Sequence, residues 1–118
     1  MERINKECYN DKKTFIEKLN NAFTAYINED HSESLGGFSH IKYEVYSIAT
    51  PMGYYIKEYI VMTYRGGAIA ARTVTANSLT AILSDVVRLL YGGYYSEVDA
   101  YKECVQRSEA NDGVEKII

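Results

Sequence analysis

The sequence has no tryptophan, a single proline, and no apolar run that approaches the length of a membrane span. A helix that crosses a bilayer needs roughly 18 or more consecutive apolar residues, so no membrane span is expected. The amino-terminal stretch MERINKECYNDKK does not have the pattern of a secretory signal peptide. We therefore expect a soluble, cytoplasmic protein with no membrane partner.

Cysteine is also scarce, with Cys8 near one end of the chain and Cys104 near the other. Disulfides are rare in the reducing compartments of cells, and two distant cysteines do not make a disulfide framework. We predict two free thiols.

The size and the charge of the chain limit its organisation and its partners. A length of 118 residues suits one domain that buries a core without covalent or metal crosslinks. The net charge of −3 has the wrong sign for a general nucleic-acid binder, and it is too small for a nucleic-acid mimic. We expect a single domain over residues 1–118 that binds no nucleic-acid polymer.

Tyrosine is the residue in excess, with 12 copies against three phenylalanines. Its ring is apolar and its tip is polar, which suits half-buried surfaces such as interfaces and ligand pockets. Strand positions that favour aromatic residues are the alternative explanation for each single tyrosine.

The first half of the chain predicts one helix and two strands. NDKKTFIEKLNNAFTAYINED has apolar residues at helical spacing, and Asn10 or Asp11 can cap it. After the Gly/Ser-rich loop HSESLGGFSH, the segments IKYEVYSIAT and YYIKEYIVMTY alternate apolar and polar residues as strands do. TPMG between them is a turn signal, because Pro51 suits the second position of a turn.

A third strand and a strongly apolar helix are predicted next. The Gly-Gly pair after Arg65 closes a hairpin, since glycine adopts the positive φ that tight turns need, and AIAARTVT is the third strand. Asn77 is predicted to cap the helix LTAILSDVVRLLY, which Gly92 and Gly93 end. The apolar stripe of this helix consists of Leu79, Ile82, Leu83, Val86, Leu89 and Leu90.

A last helix follows in YYSEVDAYKECVQRS. Ser96 and Asp99 have the spacing of a capping box, and the helix is predicted to run to about Ser108. The tail EANDGVEKII is expected to be loose, although Ile117 and Ile118 could dock on a partner.

The predicted order of elements gives an α+β fold. It is a small two-layer domain with an amino-terminal helix, a three-stranded antiparallel meander and two carboxy-terminal helices on one sheet face. We expect the stripe from Leu79 to Leu90 to pack on the face that carries Ile56, Ile60 and Met62. The opposite face would carry Tyr46, Ile48, Tyr55, Tyr59 and Val61. Because such a face is too apolar for water, it predicts a dimer or higher homo-oligomer.

Motifs for catalysis are missing from the sequence. His31 and His40 lie in or beside the Gly/Ser-rich loop without metal-ligand spacing. There is no Ser-Gly elbow or Walker-type phosphate loop, and the carboxylates are scattered along predicted helix faces. The residues therefore predict no catalytic site, no metal and no cofactor, and the protein is not expected to be an enzyme. The alternative is a catalytic group whose residues are distant in sequence and meet only in the folded chain.

An anion site is the chemistry that the residues favour. Arg65 lies at the hairpin and Arg72 lies in the next strand among small side chains, and arginine binds phosphate through two donors at once. The backbone of Gly66 and Gly67 can approach a ligand closely, and the start of the helix after Asn77 can also bind phosphate.

Tyrosines beside this segment, Tyr64 and Tyr91, could stack on a base. The alternative is that hairpin arginines serve solubility and that Asn-Ser is an ordinary helix cap.

The segments YRGGAIAAR, TANSLTAIL and LLYGGYYSEVDAYKECV resemble a family of small phage proteins, the Thoeris anti-defence sponges of the first type. The shared form is a Gly-Gly hairpin, an Asn-Ser-led helix and a Gly-Gly-Tyr-Tyr segment before the last helix. The resemblance covers about residues 55–105.

The resemblance implies a non-enzymatic oligomer that binds cyclic ADP-ribose signals made by bacterial TIR-domain proteins, and for some members cyclic oligonucleotides. It implies phosphate contacts from Arg65, Gly66, Gly67 and Arg72, a ribose or amide contact from Asn77, and a base contact from Tyr64. Two further cations on the carboxy-terminal helices complete the candidate set, Arg88 and Arg107, each with solvated surface charge as its alternative explanation.

A second function fits the composition. A tyrosine-rich surface also suits a protein–protein inhibitor or adaptor that blocks a host defence effector.

Overall fold

The computed structural model describes residues 6–29, 35, 37–74, 77–91 and 96–118. The elements are α1 (Lys6–Ile27), β1 (Phe38–Thr50), β2 (Gly53–Tyr64), β3 (Ile69–Thr73), α2 (Leu79–Tyr91), α3 (Val98–Glu109) and β4 (Val114–Lys116). The α+β class is confirmed, with an amino-terminal helix, an antiparallel meander and two carboxy-terminal helices. The described helices are all too short or too polar to span a membrane.

The sheet has the strand order β3-β2-β1-β4, and its pairs are antiparallel. β1 and β2 form a long hairpin that pairs Phe38 with Tyr64 at one end and Thr50 with Gly53 at the other. Pro51 and the 96% exposed Met52 lie in its turn, as the TPMG signal predicts.

The first core lies between one sheet face and the helices α1 and α2. Alternate strand residues point to this face, so Ile60 and Met62 of β2 share one buried cluster with Ile16 of α1 and Val86 of α2. This packing of α2 on the face of Ile60 and Met62 is the predicted one.

The stripe of α2 is narrower than expected at its amino-terminal end. Ile82, Val86 and Leu89 are fully buried, whereas Leu79 is 47% and Leu83 is 40% exposed. The sequence pattern placed these two leucines on the buried stripe because they continue its apolar spacing. Which part of an apolar stripe is buried depends on the neighbouring elements, and the tertiary fold sets those.

The second core lies on the opposite sheet face, under α3. Tyr59 and Val61 of β2 form a buried cluster with Tyr46, Tyr101 and Cys104. The expectation of helices on one face only was therefore wrong, since the domain has three layers and α3 covers the face that had been assigned to another subunit. Of the five residues that had been assigned to that face, Tyr55 alone is exposed, at 47%. The reason first given for an oligomer is thereby removed.

The carboxy-terminal tail is part of the sheet and is not loose. β4 pairs with β1 from Tyr46 to Ile48, and Ala49 donates its amide to the Gly113 carbonyl at 2.8 Å. Ile117 donates to the Val45 carbonyl at 2.7 Å, and the last two isoleucines pack on the first core. A three-residue strand is too short for alternation to predict it.

Two helix starts differ from the prediction. α1 begins at Lys6, so Asn10 and Asp11 lie inside the helix. In α2 the cap is Ser78, whose Oγ accepts the Ala81 amide at 3.1 Å, and Asn77 precedes it. The glycines at 92 and 93 and the tyrosines at 94 and 95 lie outside the described residues, as does His31.

The residues before α3 cover the outer edge of β3. The Ser96 hydroxyl accepts the Ala71 amide at 3.2 Å, so the predicted capping box with Asp99 does not form. Glu97 accepts both the amide and the hydroxyl of Thr73 at 2.7 Å. These bonds occupy an edge that would otherwise be open to another strand.

Candidate ligand-binding site

The hairpin turn between β2 and β3 has the conformation that the Gly-Gly pair predicts. Gly66 and Gly67 both have a φ of 92°, which glycine adopts without strain. Two of the turn's amides are already used, because Arg65 donates to the Gly37 carbonyl at 2.8 Å and Gly67 donates to the Tyr64 carbonyl at 3.0 Å. The backbone of this turn is therefore less available to a phosphate than the sequence suggests.

Tyr64 attaches this turn to α2. Its hydroxyl donates to the Leu89 carbonyl, and its ring is half-buried against the first core. Burial raises the pKa of Tyr64 above its ordinary value. The side chain has a structural role between the hairpin and the end of α2, which accounts for it without a base contact.

Arg72 and Arg88 converge on one carboxylate. The Arg72 Nε lies 3.0 Å and the Arg88 Nη1 3.4 Å from the same oxygen, Oδ1 of Asp85. Asp85 is buried, Arg72 is 21% exposed and Arg88 is 55% exposed. The two guanidinium groups therefore share one buried carboxylate, and Arg88 extends from it to the solvent.

Asn77 belongs to a polar cluster at the other end of α2. Lys12 of α1 donates to the Asn77 Oδ1 at 2.8 Å and to Glu58 at 2.7 Å, and the Tyr43 hydroxyl donates to the same Glu58 oxygen at 2.5 Å. Lys12 is 4% exposed, and a buried lysine needs such partners. The Asn77 side chain thus joins α1 to α2, which explains it without a ligand.

The direction of α2 separates the predicted phosphate contacts. Its carboxy-terminal end meets Tyr64 beside the Gly-Gly turn, while its amino-terminal end follows Asn77 near Glu58. A 13-residue helix is about 20 Å long, so the turn amides and the helix amino terminus do not act on one phosphate. The helix end nearer the turn is also the one with negative partial charge.

The arginines are separated as well. The hairpin closes at Ala68, whose carbonyl accepts the Tyr64 amide just before β3 begins. Arg72 lies four residues further along the chain, where it pairs with Ile60. Four residues of strand correspond to about 14 Å, so Arg65 at the turn and Arg72 do not share a single phosphate.

Arg107 lies in the other layer. It is on α3, where its Nε donates to the Asp112 carbonyl at 3.0 Å and holds the turn that follows the helix. α3 covers the second core, so Arg107 does not join Arg72 and Arg88. The structure brings those two together, and it places Arg65, Asn77 and Arg107 elsewhere.

No family model, curated protein or solved structure matches the chain. In the described part of the chain, no group of three histidine, cysteine, aspartate or glutamate residues could hold a metal ion. Cys104 is a free, buried thiol, and the side chain of Cys8 lies outside the described part.

Glu44 is a buried charged residue that sequence analysis missed, as are Lys12 and Asp85. It is 6% exposed, and one oxygen accepts the hydroxyls of Tyr101 at 2.6 Å and Tyr46 at 2.9 Å. Its other oxygen lies 3.2 Å from both Lys42 and Lys116. The sequence could not predict this network, because two of the four partners of Glu44 are distant in the chain. They are Tyr101 of α3 and Lys116 of β4.

Proposed function

We propose that the protein binds a small cyclic nucleotide immune signal, of the cyclic ADP-ribose type or a cyclic oligonucleotide, and sequesters it without turnover. Its place of action in this proposal is the cytoplasm of an infected or lysogenic bacterial host. The proposed site centres on Arg72 and Arg88 of β3 and α2. The site is smaller than the one implied by the family resemblance.

The observation that carries the proposal is the convergence of Arg72 and Arg88 on Asp85. Both guanidinium groups contact the same carboxylate oxygen, and Arg88 is more than half exposed to solvent. A guanidinium group has five N–H donors, so the exposed side chain of Arg88, which contacts Asp85 through a single nitrogen, can donate to a phosphate.

Neighbouring residues of α2 add contacts of the kind that a nucleotide needs. Ser84 precedes Arg88 by one turn and is exposed on the same side of the helix, where its hydroxyl can bond a ribose or phosphate oxygen. Val87, 44% exposed, offers an apolar surface to a base. Sequestration requires tight binding alone, so it does not call for a nucleophile or a general base.

Calorimetry with a panel of cyclic nucleotides tests the proposal. Arg88→Ala should weaken binding by about one to two decades, since charge-assisted contacts are worth about 1.5–3 kcal/mol and 1.4 kcal/mol is a factor of ten. Asp85→Asn keeps an acceptor for Arg72 but removes the competing charge, so it should bind the same nucleotide more tightly. Lys102→Ala, an exposed cation on α3, is the matched control and should bind like the parent.

Three results would contradict this function. They are the absence of binding by the parent, unchanged affinity in Arg88→Ala, and recovery of a hydrolysed nucleotide after heat release. The last result would identify an enzyme.

A second candidate function is favoured by a different observation. Leu79, Leu83 and Val87 form an apolar strip on the solvent side of α2, which suits a protein–protein inhibitor or adaptor. A thermal-shift screen separates the two functions, because a ligand at a hundred times its dissociation constant stabilises by about 2.7 kcal/mol. An inhibitor of a host effector would show no shift with any nucleotide.

A further inference from the structure

The turn between α3 and β4 contains an aspartate directly before a glycine, Asp112 and Gly113. No other aspartate or asparagine in the sequence is followed by glycine. The carboxyl group of an aspartate can react with the backbone nitrogen of the next residue, and a glycine there leaves the approach open because it has no Cβ. This pair therefore has the composition of a site where the backbone rearranges without an enzyme.

Both reacting groups are accessible in the turn. The Asp112 side chain is 75% exposed, and the Gly113 amide has no hydrogen-bond partner among the residues that the structure describes. Gly113 has a φ of 73° and Asn111 a φ of 54°, so this segment belongs neither to the helix before it nor to the strand after it. Water can therefore leave the carboxyl group and return to it.

We propose that Asp112 is a site of isoaspartate formation and that Arg107 restrains the reaction in the folded protein. The Gly113 nitrogen attacks the Asp112 Cγ, and the carboxyl hydroxyl leaves with the amide proton as water, which gives a succinimide ring. Water then opens the ring. Where it breaks the original backbone bond, the chain runs through Cβ and Cγ as an isoaspartate of unchanged mass. This inference does not depend on the proposed ligand.

Arg107 holds the backbone of Asp112 on both sides. The Asp112 amide donates to the Arg107 carbonyl at 2.8 Å, and the Arg107 Nε donates to the Asp112 carbonyl at 3.0 Å. That carbonyl and the Gly113 nitrogen belong to one planar peptide group, so the second bond also holds the nucleophile. Ring closure needs a ψ outside the main allowed regions of an L-residue, so this peptide group must rotate first.

The guanidinium group of Arg107 also lies against both reacting residues. Its Nη2 is 3.2 Å from the position that a Cβ on Gly113 would take, and its Nε is 3.8 Å from the Asp112 Oδ2. A rotation of the peptide group between Asp112 and Gly113 would have to displace it. Arg107 therefore restrains the reaction by hydrogen bonding and by position.

The product changes the start of β4. An isoaspartate adds one atom to the main chain immediately before Gly113, whose carbonyl accepts the Ala49 amide at 2.8 Å. The next residue, Val114, is 5% exposed and belongs to the second core. The longer backbone moves the Gly113 carbonyl away from Ala49, so β4 should separate from β1.

Ageing of the full chain at neutral pH tests the restraint. Enzymatic methylation of isoaspartyl groups measures the product, and peptide fragmentation locates it. The peptide SEANDGVEK, residues 108–116, gives the unrestrained rate. The folded parent should react about tenfold more slowly than this peptide, the factor that one or two retained hydrogen bonds predict. Arg107→Ala should recover most of that difference, whereas Lys102→Ala, which removes an exposed cation from the same helix, should react like the parent.

Two further measurements make the comparison specific. Asp112→Glu should form no product, because its longer side chain does not close the five-membered ring. Hydrogen exchange of the Ala49 amide establishes whether β4 stays paired in Arg107→Ala. Arg107→Gln, which also lacks the Nε donor, takes its place if that protection is lost.

The outcomes separate the restraint from the release of β4. A folded parent that reacts as fast as the peptide, or a folded Arg107 variant that reacts as slowly as the parent, would overturn the restraint by Arg107. The purified isoaspartate form should lose protection of the Ala49 amide and unfold at a lower temperature than the parent. An Ala49 amide that stays protected in this form would overturn the release of β4.

Discussion

At the scale of single residues, Glu44 is a buried carboxylate whose four partners come from β1, α3 and β4. Burial raises its pKa, but the hydrogen bonds from Tyr101, Tyr46 and Lys116, with the charge of Lys42, lower it more. The net pKa lies below the ordinary value of 4.5, so Glu44 is ionised in the folded protein at neutral pH. Burial is the largest cause that raises the pKa values of Tyr46 and Tyr101. The hydrogen bonds that their hydroxyls donate to Glu44 raise both values further.

Glu44→Gln should lower the free energy of unfolding by about 1–3 kcal/mol at neutral pH, because two lysines and two tyrosines lose a charged acceptor. A depressed carboxylate pKa stabilises the fold above the ordinary pKa, and this contribution disappears as the pH falls through the folded-state value. The difference in unfolding free energy between parent and variant should therefore reach its maximum above about pH 5 and decrease as the pH falls below that value.

Urea unfolding at a series of pH values measures this difference. Glu115→Gln, on an exposed position of β4, is the control and should behave like the parent. A difference that stays constant down to strong acid would show that Glu44 is not the ionised centre of the network.

At the scale of elements, α2 has different roles on its two sides. Ile82 is fully buried in the first core, while its neighbour Leu83 is 40% exposed on the solvent side. The two residues are adjacent in sequence and similar in volume and hydrophobicity. They therefore provide a matched pair in which burial is the main variable.

Ile82→Ala should cost about 2–5 kcal/mol of unfolding free energy, because it removes buried methyl groups and leaves a cavity. Leu83→Ala should cost no more than about 0.5 kcal/mol in one chain, as surface substitutions generally do. Denaturant unfolding of the two variants beside the parent compares these losses. Equal losses in the two variants would place Leu83 in the core and contradict the orientation of α2.

At the scale of the whole molecule, one sheet is shared by two cores. β1 and β2 contribute alternate residues to each, so Ile60 lies in the first core and its neighbours Tyr59 and Val61 lie in the second. β4 and the last residues tie the carboxy terminus to β1. Neither layer of helices can leave without exposing one face of the same two strands.

This sharing predicts a single cooperative unfolding transition. Near-ultraviolet circular dichroism reports on the packed rings of Tyr46, Tyr59 and Tyr101 in the second core, whose centroids lie 5.4–6.4 Å apart. Far-ultraviolet circular dichroism reports largely on the helices, including α1 and α2 of the first core. The two signals should change with the same midpoint. A tyrosine signal lost well before the helical signal would show that α3 unfolds on its own.

The sequence by itself determined the order and type of the main elements. Alternation predicted β1 and β2, the Gly-Gly pair predicted the turn after Arg65, and helical spacing predicted α2. These are local properties, because the period of apolar residues and the φ of a turn depend on neighbours along the chain. The assignment of Ile60 and Met62 to the face under α2 followed from the same alternation.

Only the tertiary structure decided which surfaces meet. A period of apolar residues says that a face is buried, but it does not name the partner, so α3 could cover Tyr59 and Val61 where a second subunit was expected. Arg72 was recognisable as a cation, yet its pairing with Asp85 depends on how α2 crosses β3. The Gly-Gly turn and the start of α2 are close in sequence but lie at opposite ends of a helix of about 20 Å, because α2 runs back towards the turn along β2. These relations join residues that are distant along the chain, and packing alone sets them.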